Sequence, residues 1–97
     1  MQYDFEWDSK KAKSNRKSHR VTFEEAATVF HDPQMITLYD GKHSSIEDRW
    51  TTLGTSVAGR LLVVSHTFPD RMSDHIPVRI ISSRTATSRE RRQYQET

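Results

Sequence analysis

The segment that decides the fold covers residues 78–94 and reads VRIISSRTATSRERRQY. Its first half is rich in β-branched residues, which favours a strand. The sequence Thr87-Ser88-Arg89-Glu90 is a capping box, which predicts that a helix begins there. A rigid strand end can aim guanidinium groups at a phosphate. Five arginines lie in or just beyond this strand: Arg79, Arg84, Arg89, Arg91 and Arg92.

The composition predicts one domain, residues 1–97, with a thin core. Only 33% of the 97 residues are hydrophobic, and the mean hydropathy is −0.85. We expect one sheet covered by short helices on one face, with the other face wet or covered by a partner. The net charge is only +2, but six of the fifteen basic residues lie between residues 10 and 20, and five between residues 79 and 92. If these segments meet in space, they form a strongly positive patch.

The sequence also excludes several classes of protein. It has no cysteine, which removes disulfides, thiolate zinc sites and a cysteine nucleophile. No run of about 18 apolar residues predicts a membrane span, and the charged, aromatic N-terminus does not resemble a signal peptide. We therefore expect a cytoplasmic protein with no membrane partner.

The first third of the chain predicts a strand and two helices. Tyr3, Phe5 and Trp7 alternate with acidic residues, the period of a half-buried strand. Asp8 or Ser9 can cap a helix that runs to about His19 and has almost no apolar stripe. A second capping box, Thr22 to Glu25, opens a helix that Asp32-Pro33 ends. Its buried face has helical spacing and comprises Phe23, Ala26, Ala27 and Phe30.

The middle of the chain predicts a meander of antiparallel strands. We expect strands at residues 35–39, 50–55, 61–67 and 79–82, a polar loop at 41–48, and a long hairpin loop at 68–77 that holds two prolines. The apolar run Leu61-Leu62-Val63-Val64 predicts a central strand buried on both faces. The predicted class is α+β: an antiparallel meander sheet with two N-terminal helices and a C-terminal basic helix.

Many of these residues, in this order, resemble the BrnT toxin family. The similarity covers nearly the whole chain. It rests on Phe5-Glu6-Trp7-Asp8, Lys11, Asn15, His19, Val21-Thr22-Phe23-Glu24-Glu25-Ala26, Val29-Phe30, Asp32-Pro33, Glu47, Arg49, Gly54, Ser56, Gly59-Arg60, Arg79-Ile80-Ile81-Ser82, Arg84, Ala86-Thr87, Glu90-Arg91 and Tyr94.

The resemblance implies a function. BrnT proteins are the toxin half of a bacterial type II toxin-antitoxin pair, with a fold like the RelE ribonucleases. It implies an endoribonuclease that needs no metal or other cofactor and that stops translation by cutting RNA, either messenger RNA alone or on the ribosome. A BrnA-like antitoxin is implied as partner, with DNA bound only indirectly through the antitoxin.

One stretch departs from the family pattern. The family usually has Lys-His-Gly before the second helix, whereas this chain has Ser18-His19-Arg20, with Lys17 one place earlier. A shift of one residue rotates the lysine by about 100° around a helix. Arg20 replaces a glycine suited to the left-handed region, so keeping that backbone has a steric cost.

Four residues are candidates for cleaving RNA through its own 2′-hydroxyl. Histidine suits proton transfer near neutral pH, which points to His19. Arg84 and Arg49 suit the phosphate, and Glu47 is placed to orient Arg49 or act as the base. The RNA-binding candidates are Lys17, Arg60, Arg79, Arg89 and Tyr94.

Each candidate also has a structural interpretation. His19 suits the negative end of a helix, Glu47 and Arg49 suit a surface ion pair, and Tyr94 suits packing. The arginines of the last helix suit a solvated face. His66 invites a metal hypothesis with His31, His43 or His75, but the spacing favours a partly buried sheet residue, so no metal is predicted.

Three functions remain open at this point. The first is the endoribonuclease toxin, and the second is a weakened RNA-binding or antitoxin-binding module of the same fold. The third is a DNA-binding operon regulator. The third ranks last, because the helix at Thr22 has a buried face and acidic Glu24 and Glu25, which DNA repels.

Overall fold

The structure is a computed structural model that describes residues 2–69 and 74–96. The elements follow in the order β1 (Gln2–Glu6), α1 (Ser9–His19), α2 (Phe23–Thr28) with a 3₁₀ turn (Val29–His31), β2 (Ile36–Tyr39), a 3₁₀ turn (Gly41–His43), β3 (Trp50–Thr55), β4 (Leu61–Thr67), β5 (His75–Thr85) and α3 (Ser88–Gln95). The predicted α+β class is confirmed. No helix in the described ranges has the length and apolar character needed to cross a membrane.

The five strands form one mixed sheet in the order β1-β5-β4-β3-β2. Strands β2 to β5 pair antiparallel with their chain neighbours, whereas β1 pairs parallel with β5 at the edge. The prediction of an antiparallel sheet is therefore wrong for β1. The alternating aromatics of this strand determine which side chains are buried, but they carry no information on which strand it joins or in which direction.

The predicted bounds of β3 and β4 are confirmed, and β4 lies in the middle of the sheet with Leu61, Leu62, Val63 and Val64 all buried. Strand β5 is longer than predicted. It begins at His75 and contains Pro77, so the predicted loop at 68–77 is wrong at its far end. Prolines usually argue against a strand, which explains the error. Residues 70–73 of that loop lie outside the described residues.

The main core lies between α2 and one face of the sheet. Phe23, Ala26 and Phe30 pack there, and the rings of Tyr3 and Phe5 each lie 5.3 Å from that of Phe30. This confirms that the alternating aromatics of β1 are core residues. The remaining buried members of this cluster are Val21, Val29, Leu62, Val64, Ile76, Val78 and Ile80.

Helix α1 is attached mainly by hydrogen bonds. Its buried Asn15 donates from Nδ2 to the carbonyl oxygens of Val21 and Ser83, both at 2.9 Å, and accepts from the Ser83 N–H at 3.0 Å. These three hydrogen bonds join α1 to the part of the β5 edge that does not pair with β1. After α1, Arg20 adopts the left-handed conformation (φ 57°, ψ 35°), which has a steric cost for a residue with a Cβ.

Helix α3 lies on the opposite face of the sheet. Leu53, Leu61 and Val63 form a second apolar cluster there, packed with Ile36, Ala86 and Tyr94. Alternate residues of a strand point to opposite faces, so Leu61 and Val63 face α3 while Leu62 and Val64 face α2. The capping box predicted at Thr87 is present in full.

Candidate functional site

The α3 face of the sheet is polar beyond the area that α3 covers. Thr51, Ser65 and Ser82 are paired across three adjacent strands, which places them in one row on this face. Arg84 stands two residues after Ser82, and Arg79 lies on the same face on the other side of a bulge. This surface, which we call the open face, is the part of the second face that no helix covers. The expectation that helices cover only one face of the sheet is wrong, because α3 packs on the second face.

Arg84 is held in place by a carboxylate that the sequence had assigned only to helix capping. Its Nη1 and Nη2 donate to the two oxygens of Glu90 at 2.8 and 3.0 Å, and Nη1 also donates to the Thr85 carbonyl at 3.3 Å. The bidentate bond from Arg84 lowers the pKa of Glu90 to about 2 and raises that of Arg84. Glu90 also accepts from the Thr87 N–H at 2.9 Å, so the helix start and the arginine are fixed together.

This arrangement leaves part of Arg84 available. A guanidinium has five N–H donors, of which Glu90 and Thr85 use three. The Nε–H and the second Nη2–H have no partner among the described residues. These two donors lie side by side and form a second fork that suits two oxygens of one phosphate.

Arg79 is also paired with acidic residues. Its nitrogens lie 3.5 Å from Glu6 Oε1 and 3.6 Å from Glu47 Oε2. Glu47 therefore pairs with Arg79, and the expectation that it orients or pairs with Arg49 is wrong. The segment before β3 is bent around residues 45–47 and not extended, so the two side chains do not follow strand alternation. Arg49 is half-buried, and its backbone N–H donates to Ser44 Oγ at 2.9 Å.

His19 is exposed at the end of α1 and faces a groove of about 310 Å³ between α1 and β5. The groove is lined by Lys11, Ser14, Asn15, Ser18, His19, Ile81 and Ser82. Ser82, one of these lining residues, stands two residues before Arg84 on β5, and two residues of a strand span about 6.6 Å.

Arg60 is engaged elsewhere. It forms a bidentate pair with Glu25 and donates to the Arg20 carbonyl at 3.1 Å. The hydrogen bond from Arg60 lowers the pKa of Glu25. Thr22 accepts from the Glu25 N–H as predicted, at 3.1 Å, but the Glu25 carboxylate bonds Arg60 and Ser56. The capping box predicted at Thr22 is therefore only half formed.

Tyr94 is partly buried against the second apolar cluster. Its hydroxyl donates to Asp32 Oδ2 at 2.5 Å and accepts from Thr55 Oγ1 at 3.2 Å, and the bond to Asp32 raises the Tyr94 pKa. These contacts match the packing interpretation. Lys17 and Arg89, the other RNA-binding candidates, are exposed.

His66 is fully buried between Phe30 and Phe68, with ring centroids at 5.0 and 4.9 Å. Its Nε2 shares a hydrogen bond of 2.7 Å with Thr52 Oγ1, and burial lowers its pKa to about 4. The sequence predicted only partial burial. Across residues 2–69 and 74–96 there is no group of three or more His, Asp or Glu side chains able to hold a metal ion.

The fold and the matched sequence define a class of protein: the ribonuclease toxins of type II toxin-antitoxin systems. Residues 7–90 match the sequence model of the family described as "Ribonuclease toxin, BrnT, of type II toxin-antitoxin system". The chain belongs to this BrnT family.

A solved structure gives the same picture at the level of fold. The ribonuclease toxin BrnT of Brucella abortus, known from a crystal structure at 1.1 Å resolution, superposes with a TM-score of 0.61. The two chains are 16% identical, and the match covers 91% of this chain and 100% of the other. No curated protein sequence matches the chain significantly.

Proposed function

We propose that this BrnT-family domain, with a RelE-like fold, is a metal-independent endoribonuclease that cuts messenger RNA in the cytoplasm, free or on the ribosome. Attack by the 2′-hydroxyl on the adjacent phosphate would leave a 2′,3′-cyclic phosphate. A BrnA-like antitoxin would neutralise it and carry the only contact with DNA. The observation that supports this proposal is the Arg84 fork, fixed by Glu90 and presented on the open face, with Ser82 of the His19 groove two residues before it on β5.

Arg84 is assigned to the scissile phosphate. A donor that is already oriented stabilises charge that develops on phosphate oxygens without any cost of reorganisation. Glu90 provides that orientation by holding the end of the guanidinium, and the second fork remains for two phosphate oxygens. Arg79, held between Glu6 and Glu47, is assigned to a neighbouring phosphate.

His19 is assigned to proton transfer. It is exposed, and no hydrogen bond or ion pair joins its ring to any described residue, so both nitrogens are accessible to a substrate. General acid-base catalysis by one such group typically contributes about 10² to 10⁴-fold. Glu47 is the second candidate for the base. Its ion pair with Arg79, a residue of the open face, supports this assignment. Arg49, directly before β3, is assigned to the scissile phosphate together with Arg84.

A second function is favoured by one specific observation. Each of the arginines Arg60, Arg79 and Arg84 has a carboxylate partner, and phosphate must compete with these acids for the guanidinium groups. Together with the Ser18 and Arg20 departures, this suits a weakened module that binds RNA or antitoxin without cutting. The fold is the same in both cases, so activity must separate them.

The test is cleavage of a labelled RNA by the purified chain with EDTA present. We expect a loss of about 10² to 10³-fold for Arg84→Ala and of at least about 10²-fold for His19→Gln, and no significant loss for Arg91→Ala, an exposed arginine of α3. Methylation of the 2′-oxygen at the cut site should block the reaction. The proposal fails if both variants cut like the unchanged chain, or if EDTA abolishes cleavage. Growth arrest that persists equally in both variants would support the weakened binding module.

A further inference from the structure

Helix α1 carries positive charge without acidic partners. It holds Lys10, Lys11, Lys13, Arg16 and Lys17, and no aspartate or glutamate. None of these five side chains forms an ion pair with a residue in the described parts of the chain. Arg60, Arg79 and Arg84 differ in this respect, because each pairs with a glutamate. The charge of α1 is therefore fully available to a partner.

The position of two lysines is not explained by helix stability. Cations are favourable near the C-terminal end of a helix and unfavourable near its N-terminal end. Lys17 and Arg16 lie in the last turn and fit that rule, but Lys10 and Lys11 lie in the first turn, where acidic residues are absent. Their charge acts against the helix dipole, which points to a role outside the fold.

The helix geometry determines on which side of α1 each basic residue lies. Lys11 lines the groove between α1 and β5 together with Ser14 and Ser18. Lys10 and Lys17 are seven residues apart, which is nearly two turns, so they lie on one line about 10.5 Å long beside that groove. Lys13 lies on the same line, because it is three residues after Lys10 and four before Lys17. Arg16 is turned away from this line and lines a separate groove toward α2, which Lys13 also borders and which contains Glu24.

We propose that the side of α1 bearing Lys10, Lys11, Lys13 and Lys17 binds the phosphate backbone of the RNA on one side of the cut site. This surface, which we call the α1 lysine ridge, leads along the groove to His19 and then to the open face. The inference rests on the proposed function in taking RNA as the substrate. Small serines between the lysines leave the charged groups accessible, and Asn15 keeps the helix fixed against Ser83.

An acidic protein is the competing partner, and the surface chemistry argues against it. Protein interfaces have an apolar or aromatic centre surrounded by polar groups. The ridge has none: the large hydrophobic residues exposed in the described structure are Leu38, Tyr39, Ile46 and Val57, all outside α1. A surface of isolated cations is typical of contacts to phosphates, which fix position without reading sequence.

The test measures binding of a short fluorescent 2′-O-methyl RNA, which lacks the 2′-hydroxyl needed for cleavage, by anisotropy at several salt concentrations. The ridge variant is Lys10→Gln, Lys11→Gln, Lys17→Gln. The control, Arg16→Gln, Lys42→Gln, Arg91→Gln, removes the same charge from exposed positions away from the ridge, including Arg16 on the other side of the same helix. The ridge variant lacks three cations that would pair with phosphates, so we expect it to bind about 10²-fold more weakly near 0.1 M salt. The plot of log K against log salt concentration should also become less steep, by about 2 in slope.

The control variant should stay within about threefold of the unchanged chain, since it alters only the overall field. The melting temperature of the ridge variant should not fall, because two of the charges that it removes oppose the helix dipole. Equal weakening by both variants would overturn the inference, since net charge alone would then account for binding. Unchanged RNA affinity in the ridge variant would overturn it as well, and loss of antitoxin affinity alone would assign the ridge to an acidic protein.

The cleavage assay separates this inference from the proposed function. If the unchanged chain cuts RNA but the ridge variant binds 2′-O-methyl RNA equally well, only the inference fails. If the unchanged chain cuts no RNA and the ridge lysines still govern binding, the proposed function fails and the inference holds.

Discussion

Helix α1 and strand β5 both carry basic residues, and of these two elements only β5 has basic residues with carboxylate partners among the described residues. Arg79 is held by Glu6 and Glu47, and Arg84 by Glu90. An arginine clamped in this way loses mobility and net charge but gains a defined direction, which chemistry on a single phosphate requires. The lysines of α1 keep their charge and mobility, which suits them to capture a flexible polyanion. Strand β5 is thus suited to position a single phosphate, and helix α1 to attract a flexible polyanion.

The largest expected effect on stability comes from replacing Asn15, whose side chain joins α1 to β5. Asn15→Ala removes three hydrogen bonds and leaves the carbonyl oxygens of Val21 and Ser83 and the Ser83 N–H without partners. Each unsatisfied buried group costs about 1–3 kcal/mol, so we expect the free energy of unfolding to fall by about 3 kcal/mol. Urea denaturation measures this decrease. Ser14→Ala, an exposed neighbour, should change stability by less than about 0.5 kcal/mol. A similar small change for Asn15→Ala would mean that α1 is held by other contacts.

The second effect tests whether β5 depends on its acidic partner. In the folded chain the pKa of Glu90 is about 2, below its ordinary value of 4.5. A carboxylate with a lowered pKa stabilises the fold fully above pH 4.5, and that contribution is lost as the pH falls toward 2. Glu90→Gln should therefore lower stability by about 1–2 kcal/mol at neutral pH, with a smaller difference in acid.

Denaturation of both chains at several pH values between 7 and about 2 measures the difference. Glu96→Gln, at the other end of α3, serves as the matched control for the loss of one carboxylate from this helix. A Glu90→Gln effect that is constant from neutral pH to acid would show that the charge of Glu90 contributes nothing to the fold.

The smallest effect has opposite signs at the two ends of α1. Lys10→Glu places a negative charge in the first turn and should raise the free energy of unfolding by about 0.3–1 kcal/mol, whereas Lys17→Glu in the last turn should lower it by a similar amount. Thermal unfolding at low ionic strength measures both variants, and each is the control for the other. Destabilisation by Lys10→Glu would mean that Lys10 has a structural role after all.

The sequence predicted most of what depends on neighbours along the chain. The bounds of β3 and β4, the caps at Asp8 and Thr87 and the strained backbone at Arg20 all follow from local patterns. Interactions between distant residues were missed. The direction of β1, the bond of Asn15 to Ser83 and the pair of Glu47 with Arg79 join residues far apart, for which hydrophobic periodicity carries no signal. The family resemblance identified Arg84 and Glu90, but only the structure pairs them.

The order of the strands has a consequence for the newly made chain. Strand β1 is synthesised first, yet it pairs with residues 75–79 of β5. The hydrogen bonds between Asn15 and Ser83 likewise cannot form until Ser83 has been made. Hairpins between β2, β3 and β4 can form early, because their contacts are local. The arginine region and the lysine helix come together only when β5 has been made. A BrnT-family toxin with this strand order therefore assembles its candidate site only when almost the whole fold is available.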